Sequence, residues 1–251
     1  MRFMSLLQTG RLTAAGLCMA AAIALPGDAV ASNFRVSPVT LTLPANRPIG
    51  SLTITNGEDV PVSIRVSAFR WTQVDGKDVY TPTDDLIASP PIFTAATRAP
   101  QLVRIGVRHR LPNAAYRVML QEIPGPATAN GVRIAVKLNL PLYIVADPAA
   151  KADVAWTAWR RPAGDIVLEA RNTGGAIAQV TGIAHRAGTG TGTGPGGTST
   201  VLSNAMGVVL PQSMRQWEIG KHPELTTGTP LTLAIRTADG EHEVTANLAA
   251  R

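Results

Sequence analysis

Large aliphatic side chains alternate with polar ones between Val132 and Leu140, in the most regular stretch of the chain. The alternating aliphatics are Val132, Ile134, Val136, Leu138 and Leu140. Arg133, Lys137 and Asn139 occupy most of the positions between them. A period of two residues predicts a β-strand with one apolar face. Such a face packs on the core of its own domain or, at a sheet edge, is offered with free backbone groups to another chain.

Shorter alternating segments recur from residue 33 to residue 144 and predict seven half-buried strands. Turn signals separate them, such as Asn56-Gly57, the segment 74–77 and the stop at Pro124-Gly125-Pro126. No part of this region has the 3.6-residue period of a helix. Strands spaced roughly 8 to 12 residues apart are typical of an antiparallel sandwich. Residues 32–146 are therefore predicted to form one immunoglobulin-like domain.

Residues 147–151, Asp-Pro-Ala-Ala-Lys, predict a short hinge, and further β patterns follow in residues 152–251. The run from Gly188 to Thr200 consists almost entirely of Gly and Thr and predicts a loop within this second region. The segments around the loop predict a second, somewhat shorter β-sandwich. The chain as a whole is predicted to be all-β.

The first 31 residues have the composition of a targeting segment. Arg2 and Arg11 precede an apolar run from Leu12 to Pro26, and Ala29-Val30-Ala31 supplies small residues for cleavage. This predicts a secretory signal peptide over residues 1–31 and export to the periplasm. The single cysteine, Cys18, lies inside it, so no disulfide or thiol chemistry is expected in the mature chain. No later apolar run approaches the roughly 20 residues of a membrane span, so membrane insertion is not expected.

Charge and candidate chemistry exclude several function classes. The net charge is +6, but the basic residues are scattered rather than concentrated on one face, which argues against nucleic-acid binding. None of the four histidines has the spacing of a metal ligand, and in Glu241-His242-Glu243 strand alternation turns the carboxylates away from His242. No nucleophile elbow, phosphate loop or dinucleotide fingerprint is present. We therefore expect no catalytic activity, cofactor or metal.

Several short segments carry a resemblance that extends over the mature chain. They are Leu43-Pro44, Ser89-Pro90-Pro91, the strand around Arg104 and, above all, residues 116–124, Tyr-Arg-Val-Met-Leu-Gln-Glu-Ile-Pro. Together with the alternating strand and the hinge, they resemble the periplasmic pilus chaperones of the chaperone-usher pathway. The likeness is greater to the archaic branch, which serves spore-coat-protein-U-like pilins. The resemblance implies two immunoglobulin-like β-sandwiches in a boomerang-like arrangement.

The resemblance also implies a mechanism, donor-strand complementation. A pilin of this class is an immunoglobulin-like domain without its final strand, and residues 132–140 would complete it, with the five aliphatics in its groove. Burying five such side chains at about 1.5 to 3 kcal/mol each amounts to roughly 10 kcal/mol before ordering costs. The expected partners are pilin subunits and an outer-membrane usher, and the free chaperone could self-associate through the same strand.

One feature of the better-known adhesive branch does not transfer. There, an arginine on the first strand and a lysine before the hinge bind the pilin's C-terminal carboxylate, whereas here Thr40 stands at the arginine position. A buried carboxylate costs several kcal/mol without a cation and donors, so another cation is expected. The candidates are Arg117, Arg104, Arg171 and Lys137. Arg117 is preferred because it lies in residues 116–124, and alternation turns Lys137 away from the apolar face.

Two other function classes stay open. An exported adhesion or carbohydrate-binding sandwich would display clustered aromatic side chains on one face, which an aromatic content of 4% spread over both regions disfavours. A secreted β-sandwich hydrolase would need a convergent histidine or carboxylate site. Without the resemblance, the aliphatics of residues 132–140 would more simply fill the core of their own domain.

Overall fold

The computed structural model describes residues 34–109, 111–125, 135–187 and 198–251, and all the regular elements within these ranges are β-strands. Residues Ser32–Arg251 form one compact unit. The predicted signal peptide and the positions Val132 and Ile134 lie outside the described residues. Within the described ranges, no helix is long and apolar enough to cross a membrane. The predicted all-β class is confirmed.

Ten strands, which we call the first sandwich, form two facing sheets around one core. They are β1 (Phe34–Ser37), β2 (Leu41–Pro44), β3 (Ile49–Asn56), β4 (Val62–Val74), β5 (Lys77–Pro82), β6 (Leu86–Ser89), β7 (Ile92–Ala95), β8 (Pro100–Val107), β9 (Ala114–Ile123) and β10 (Lys137–Val145). One sheet has the order β1-β3-β8-β6, and the other has the order β2-β10-β9-β4-β5 with β7 beside β4. Leu52, Ile54, Val103 and Leu142 are fully buried between them.

This region has ten strands rather than the predicted seven, and at two places a proline-containing segment separates consecutive strands. The chain leaves the first sheet after β1, passes Pro38 and enters the second sheet as β2. It likewise passes from β6 to β7 through Pro90 and Pro91, and β6 pairs with β8 whereas β7 pairs with β4. A proline has no amide donor for a ladder, so strands tend to end where prolines stand.

Eight further strands, the second sandwich, enclose a separate core. They are β11 (Val154–Arg160), β12 (Asp165–Asn172), β13 (Ala178–Ala187), β14 (Thr198–Ser203), β15 (Gly207–Val209), β16 (Ser213–Lys221), β17 (Pro230–Thr237) and β18 (Gly240–Ala250). Their order is β14-β13-β17-β18-β11-β12-β16, and β15 pairs with β13. Trp156 stacks on Trp217 in this core, with ring centroids 5.5 Å apart.

The predicted loop at residues 188–200 is too long at its C-terminal end. Thr198 to Thr200 already belong to β14 and pair with residues 187 to 185 of β13. Threonine is β-branched and fits a pleated strand, so a Thr-rich end of a Gly-rich segment can join a sheet. Residues 188–197 lie outside the described ranges.

A third apolar cluster joins the two sandwiches. Trp71, Ala115 and Tyr143 from the outer face of the first sandwich pack with Leu210 of the second, and all four are buried. This cluster buries the outward-facing side of β10 at its C-terminal end. It therefore places the second sandwich next to the C-terminal end of β10.

Candidate functional site: the free half of strand β10

Strand β10 is paired on both sides along only part of its length. On one side β9 pairs with it in antiparallel register from Lys137 to Ile144. On the other side β2 pairs in parallel register with residues 142–145 only. Within the described residues, positions 137–141 therefore have a ladder partner on one side only. A free strand edge of this kind can accept a strand from another chain.

The inward positions of β10 are buried to different degrees. Leu140 is 8% exposed and belongs to the core of the first sandwich. Leu138 is only partly buried against that core, and Val136 lies half-buried just before the strand begins. The aliphatics thus fill their own core at the C-terminal end of the segment and become more accessible toward its N-terminal end.

The strand begins and ends later than the alternation predicts. It starts at Lys137, after described non-strand residues 135 and 136, and continues to Val145, beyond Leu140. The alternation is lost after Leu140 because both faces are buried there. Leu142 and Ile144 enter the first core, whereas the outward Tyr143 is covered by Trp71 and Leu210.

Three of the four predicted anchor cations lie apart from one another. Lys137 is exposed at the start of β10, on the face opposite the aliphatics. Arg104 is exposed on the outer face of the other sheet, between Ser51 and Ser89 in register. Arg171 lies on β12 of the second sandwich, with its Nη2 atom 3.4 Å from Glu169 Oε1.

Arg117, the fourth candidate, lies beside the free half of β10. It occupies β9 directly opposite Pro141. Its guanidinium carbon is 3.9 Å from the ring centroid of Trp71 and 5.7 Å from that of Tyr80. Its Nε atom is buried without a hydrogen-bond partner, and the ion pairs among the described residues do not include it. Arg117 thus packs against an aromatic ring and has no carboxylate partner among the residues that the structure describes.

A cleft of about 720 Å³ lies between the two sandwiches and is lined by Pro44, Trp71, Tyr143, Ile177 and Leu210, among others. Arg70 is the cation among its described lining residues. The sequence-based prediction did not include it. The available signal was a charged residue at the inward position that follows Val62, Ile64, Val66 and Ala68 on β4.

Arg70 already has partners within the first sandwich. Its Nη1 atom donates to Tyr116 Oη at 3.1 Å and lies 3.5 Å from Asp85 Oδ2. The Tyr116 hydroxyl in turn donates to Asp85 at 3.3 Å. Burial raises the pKa of Tyr116, which keeps this hydroxyl protonated. Arg70 therefore already has a carboxylate partner within the described structure, in contrast to Arg117.

Asp78 on β5 is the polar centre of the contact between the sandwiches. It accepts hydrogen bonds from Trp71 Nε1 and Gln73 Nε2, both at 2.9 Å, and from Arg215 Nη1 of the second sandwich at 2.5 Å. Burial alone would raise the pKa of Asp78, but the bonds from Gln73, Arg215 and Trp71 outweigh it and hold the pKa below its usual range. The neighbouring Tyr143 is buried, which raises its pKa to about 12.

The histidine and carboxylate positions do not form a metal centre in the described part of the chain, where no three such groups converge. Glu241 and Glu243 both contact Arg186 across the sheet. This places the two carboxylates on one face of β18, as the alternation predicts, while His242 lies between them in sequence and pairs with Ile235.

Comparison with known proteins gives one family and a set of related folds. Residues 33–149 match the model of the pili and flagellar-assembly chaperones, PapD N-terminal domain. No curated protein matches the sequence. A similar solved structure is the CsuC–CsuE chaperone–tip subunit pre-assembly complex from archaic chaperone-usher Csu pili of Acinetobacter baumannii. The TM-score is 0.64 at 18% identity, covering 86% of this chain and 99% of the matched one.

Two further solved structures extend this likeness. The SafA pilin in complex with the SafB chaperone of Salmonella enterica matches at a TM-score of 0.55 and 13% identity, over 85% of this chain and 95% of that one. The CupB2 chaperone of Pseudomonas aeruginosa matches at 0.52 and 12%, over 84% and 97%. The chain therefore has the two-domain immunoglobulin-like fold of pilus chaperones, and its residues 33–149 belong to the family of pili and flagellar-assembly chaperones, PapD N-terminal domain.

Proposed function

We propose that this protein is a periplasmic chaperone of the archaic chaperone-usher branch that binds pilin subunits by donor-strand complementation and delivers them to an outer-membrane usher. The observation that carries the proposal is the one-sided pairing of residues 137–141 in β10. Two of the similar structures are complexes of a chaperone with a subunit, CsuC–CsuE and SafB–SafA. Export would depend on the signal peptide predicted over residues 1–31.

The exposure of the aliphatics indicates which of them contribute to binding. Leu140 is already buried in the first core, so it has little apolar surface left for a partner. Val136 and Leu138 are the described members of the predicted set that keep accessible surface, and Val132 and Ile134 remain part of the proposed donor segment. A pilin strand added along residues 137–141 would gain backbone hydrogen bonds. Each aliphatic that it buries would contribute about 1.5 to 3 kcal/mol.

The proposed anchor for the pilin's C-terminal carboxylate is Arg117. A carboxylate that leaves water needs a cation and hydrogen-bond donors. Arg117 is adjacent to Pro141 of β10, has no carboxylate partner among the described residues, and is held by Trp71. Arg104 and Arg171 lie elsewhere, and Lys137 extends into solvent.

The alternative of a carbohydrate-binding sandwich has less support. Such a site displays aromatic rings to solvent, whereas Trp71 and Tyr143, the larger part of the aromatic cluster on the first sandwich, are 2% and 5% exposed. Trp156 and Trp217 are likewise buried in the second core. These rings are used for packing.

Co-expression with an archaic-type pilin in the periplasm tests the donor strand. Replacing Val136 and Leu138 by Asn should leave the chaperone folded but reduce the pilin recovered with it by at least about 100-fold, since about 1.5 to 3 kcal/mol of burial is lost at each of the two sites. The matched control is Leu102→Asn, which alters an exposed aliphatic, 46% accessible, on the outer face of the other sheet. Equal recovery with the double variant and wild type, both folded by circular dichroism, would show that β10 is not the donor.

A further inference from the structure

Glu122 places a carboxylate inside the open end of the first sandwich. The residue is only 3% exposed and lines a small crevice with Phe34 and Ile54 of one sheet and Val136 and Leu138 of the other. A carboxylate in apolar surroundings is costly and is retained only where donors reach it. Its contacts therefore indicate what the group is there to hold.

Two hydrogen bonds join Glu122 to Val136. Its backbone N–H donates to the carbonyl oxygen of Val136 at 3.0 Å, and its side-chain Oε2 accepts from the N–H of Val136 at 3.1 Å. In a regular antiparallel pair both bonds run between backbone groups. Here the carboxylate takes the place of the residue's own carbonyl, one residue before β10 begins at Lys137.

We infer that Glu122 is a positioning residue for the donor segment. By holding both backbone groups of Val136 against the end of β9, it fixes the register in which the segment enters β10. Register decides function here, because a shift by one residue would turn Val136 and Leu138 to the opposite face and bring Lys137 inward. The consequence for pilin binding rests on the proposed function, but the contact itself does not.

Hydrogen exchange of the free protein tests the contact directly. In Glu122→Ala the amide of Val136 should exchange at least about 10-fold faster, because it loses a charge-assisted hydrogen bond. Glu122→Gln keeps an oxygen acceptor and should restore protection to within about threefold of wild type. Gln121→Ala is the matched control, since Gln121 is the exposed neighbour on the same strand. Unchanged exchange at Val136 in Glu122→Ala would overturn the inference.

A second measurement separates positioning from general stability. Amides in β3 and β8, which pair with each other on the other sheet, should keep their exchange rates in all three variants. If they accelerate together with Val136, Glu122 stabilises the whole sandwich and the positioning role is wrong. If Val136 responds as expected in the free protein but wild type captures no pilin, the proposed function fails while the positioning of the segment stands.

Discussion

At the scale of single residues, Arg117 combines two properties that anchoring a carboxylate requires. Its side chain loses little conformational freedom on binding, because the guanidinium already lies 3.9 Å from the Trp71 ring. Its charge is not compensated by an ion pair in the described structure, unlike that of Arg70, which lies 3.5 Å from Asp85. A pilin carboxylate would therefore meet a fixed cation without first displacing another anion.

Arg117→Gln should reduce pilin retention by roughly 10-fold or more, since a hydrogen bond to a charged group is worth about 1.5 to 3 kcal/mol. The loss of the contact with Trp71 should lower the free energy of unfolding by about 0.5 to 1 kcal/mol only. Pull-down of the pilin and urea unfolding measure the two effects separately. Arg104→Gln, on the other sheet, is the control, and an equal loss of retention in both variants would rule out Arg117 as the anchor.

At the scale of elements, the hairpin formed by β4 and β5 contacts the second sandwich. Asp75 and Gly76 both have positive φ, 50° and 75°, as a two-residue type I′ turn requires. The Asp-Gly pair in residues 74–77 therefore predicts the turn correctly. The carbonyl of Gly76 accepts a hydrogen bond of 3.0 Å from the N–H of Gln216 on β16. The tip of this hairpin thus contacts an edge strand of the second sandwich.

Gly76→Ala should destabilise the protein more than a turn glycine normally does. A Cβ at this position would lie 2.5 Å from Gln216 Cγ, and an L-residue at this φ costs about 1 to 2 kcal/mol in addition. Gly228→Ala is the matched control, because Gly228 has a φ of 84° but no atom within 4 Å of its Cβ position. Urea unfolding should show a loss that is larger for Gly76→Ala by about 1 to 3 kcal/mol. An equal loss of unfolding free energy in both variants would mean that the Gln216 side chain moves aside without cost.

How far the sequence predicts an element depends on how many of its faces are buried. The apolar alternation that leads into β10 is legible because one face of that segment is polar, whereas from Leu142 to Val145 both faces are covered and the period disappears. The two-domain class follows from local patterns. The partner of each strand edge does not, because pairing such as that of β2 with residues 142–145 joins positions about 100 residues apart.

The candidate site, like the fold, was predictable from the sequence only in part. Its strand and its preferred cation, Arg117, lie in recognisable segments. Glu122 and Arg70 have roles that depend on contacts with other segments of the first sandwich, with Val136 and with Asp85, and no spacing in the sequence encodes such contacts.

At the scale of the whole molecule, a small polar group holds the two sandwiches together beside the apolar cluster. Gln73 donates to the carbonyl of Val208 at 2.6 Å and accepts from the N–H of Leu210 at 3.0 Å. Asp78 binds Gln73 on the first sandwich and Arg215 on the second. The side chains of Asp78 and Arg215 are 16% and 21% exposed, so this ion pair is screened by water less than a surface pair is.

The ion pair gives the assembly of the two sandwiches a pH dependence of known sign. The pKa of Asp78 is lower in the folded protein than its usual value of 3.8, so its contribution to stability is complete above that pH and is lost as the pH falls through the folded pKa. Asp78→Asn removes the charge and should lower the free energy of unfolding at pH 7 by about 1 to 3 kcal/mol. The difference from wild type should shrink steadily as the pH is lowered below 3.8.

Urea unfolding at pH 7 and near pH 3, followed by tryptophan fluorescence, measures this difference. The matched control is Asp59→Asn, which removes the partner of Arg98 from a pair whose side chains are 81% and 74% exposed. A pair so accessible contributes about 0 to 1 kcal/mol, so the control should stay close to wild type at both pH values. If Asp78→Asn were as stable as wild type at pH 7, the hydrogen bonds of Gln73 and the apolar cluster would suffice to join the sandwiches. The ion pair would then have no part in holding the second sandwich beside β10.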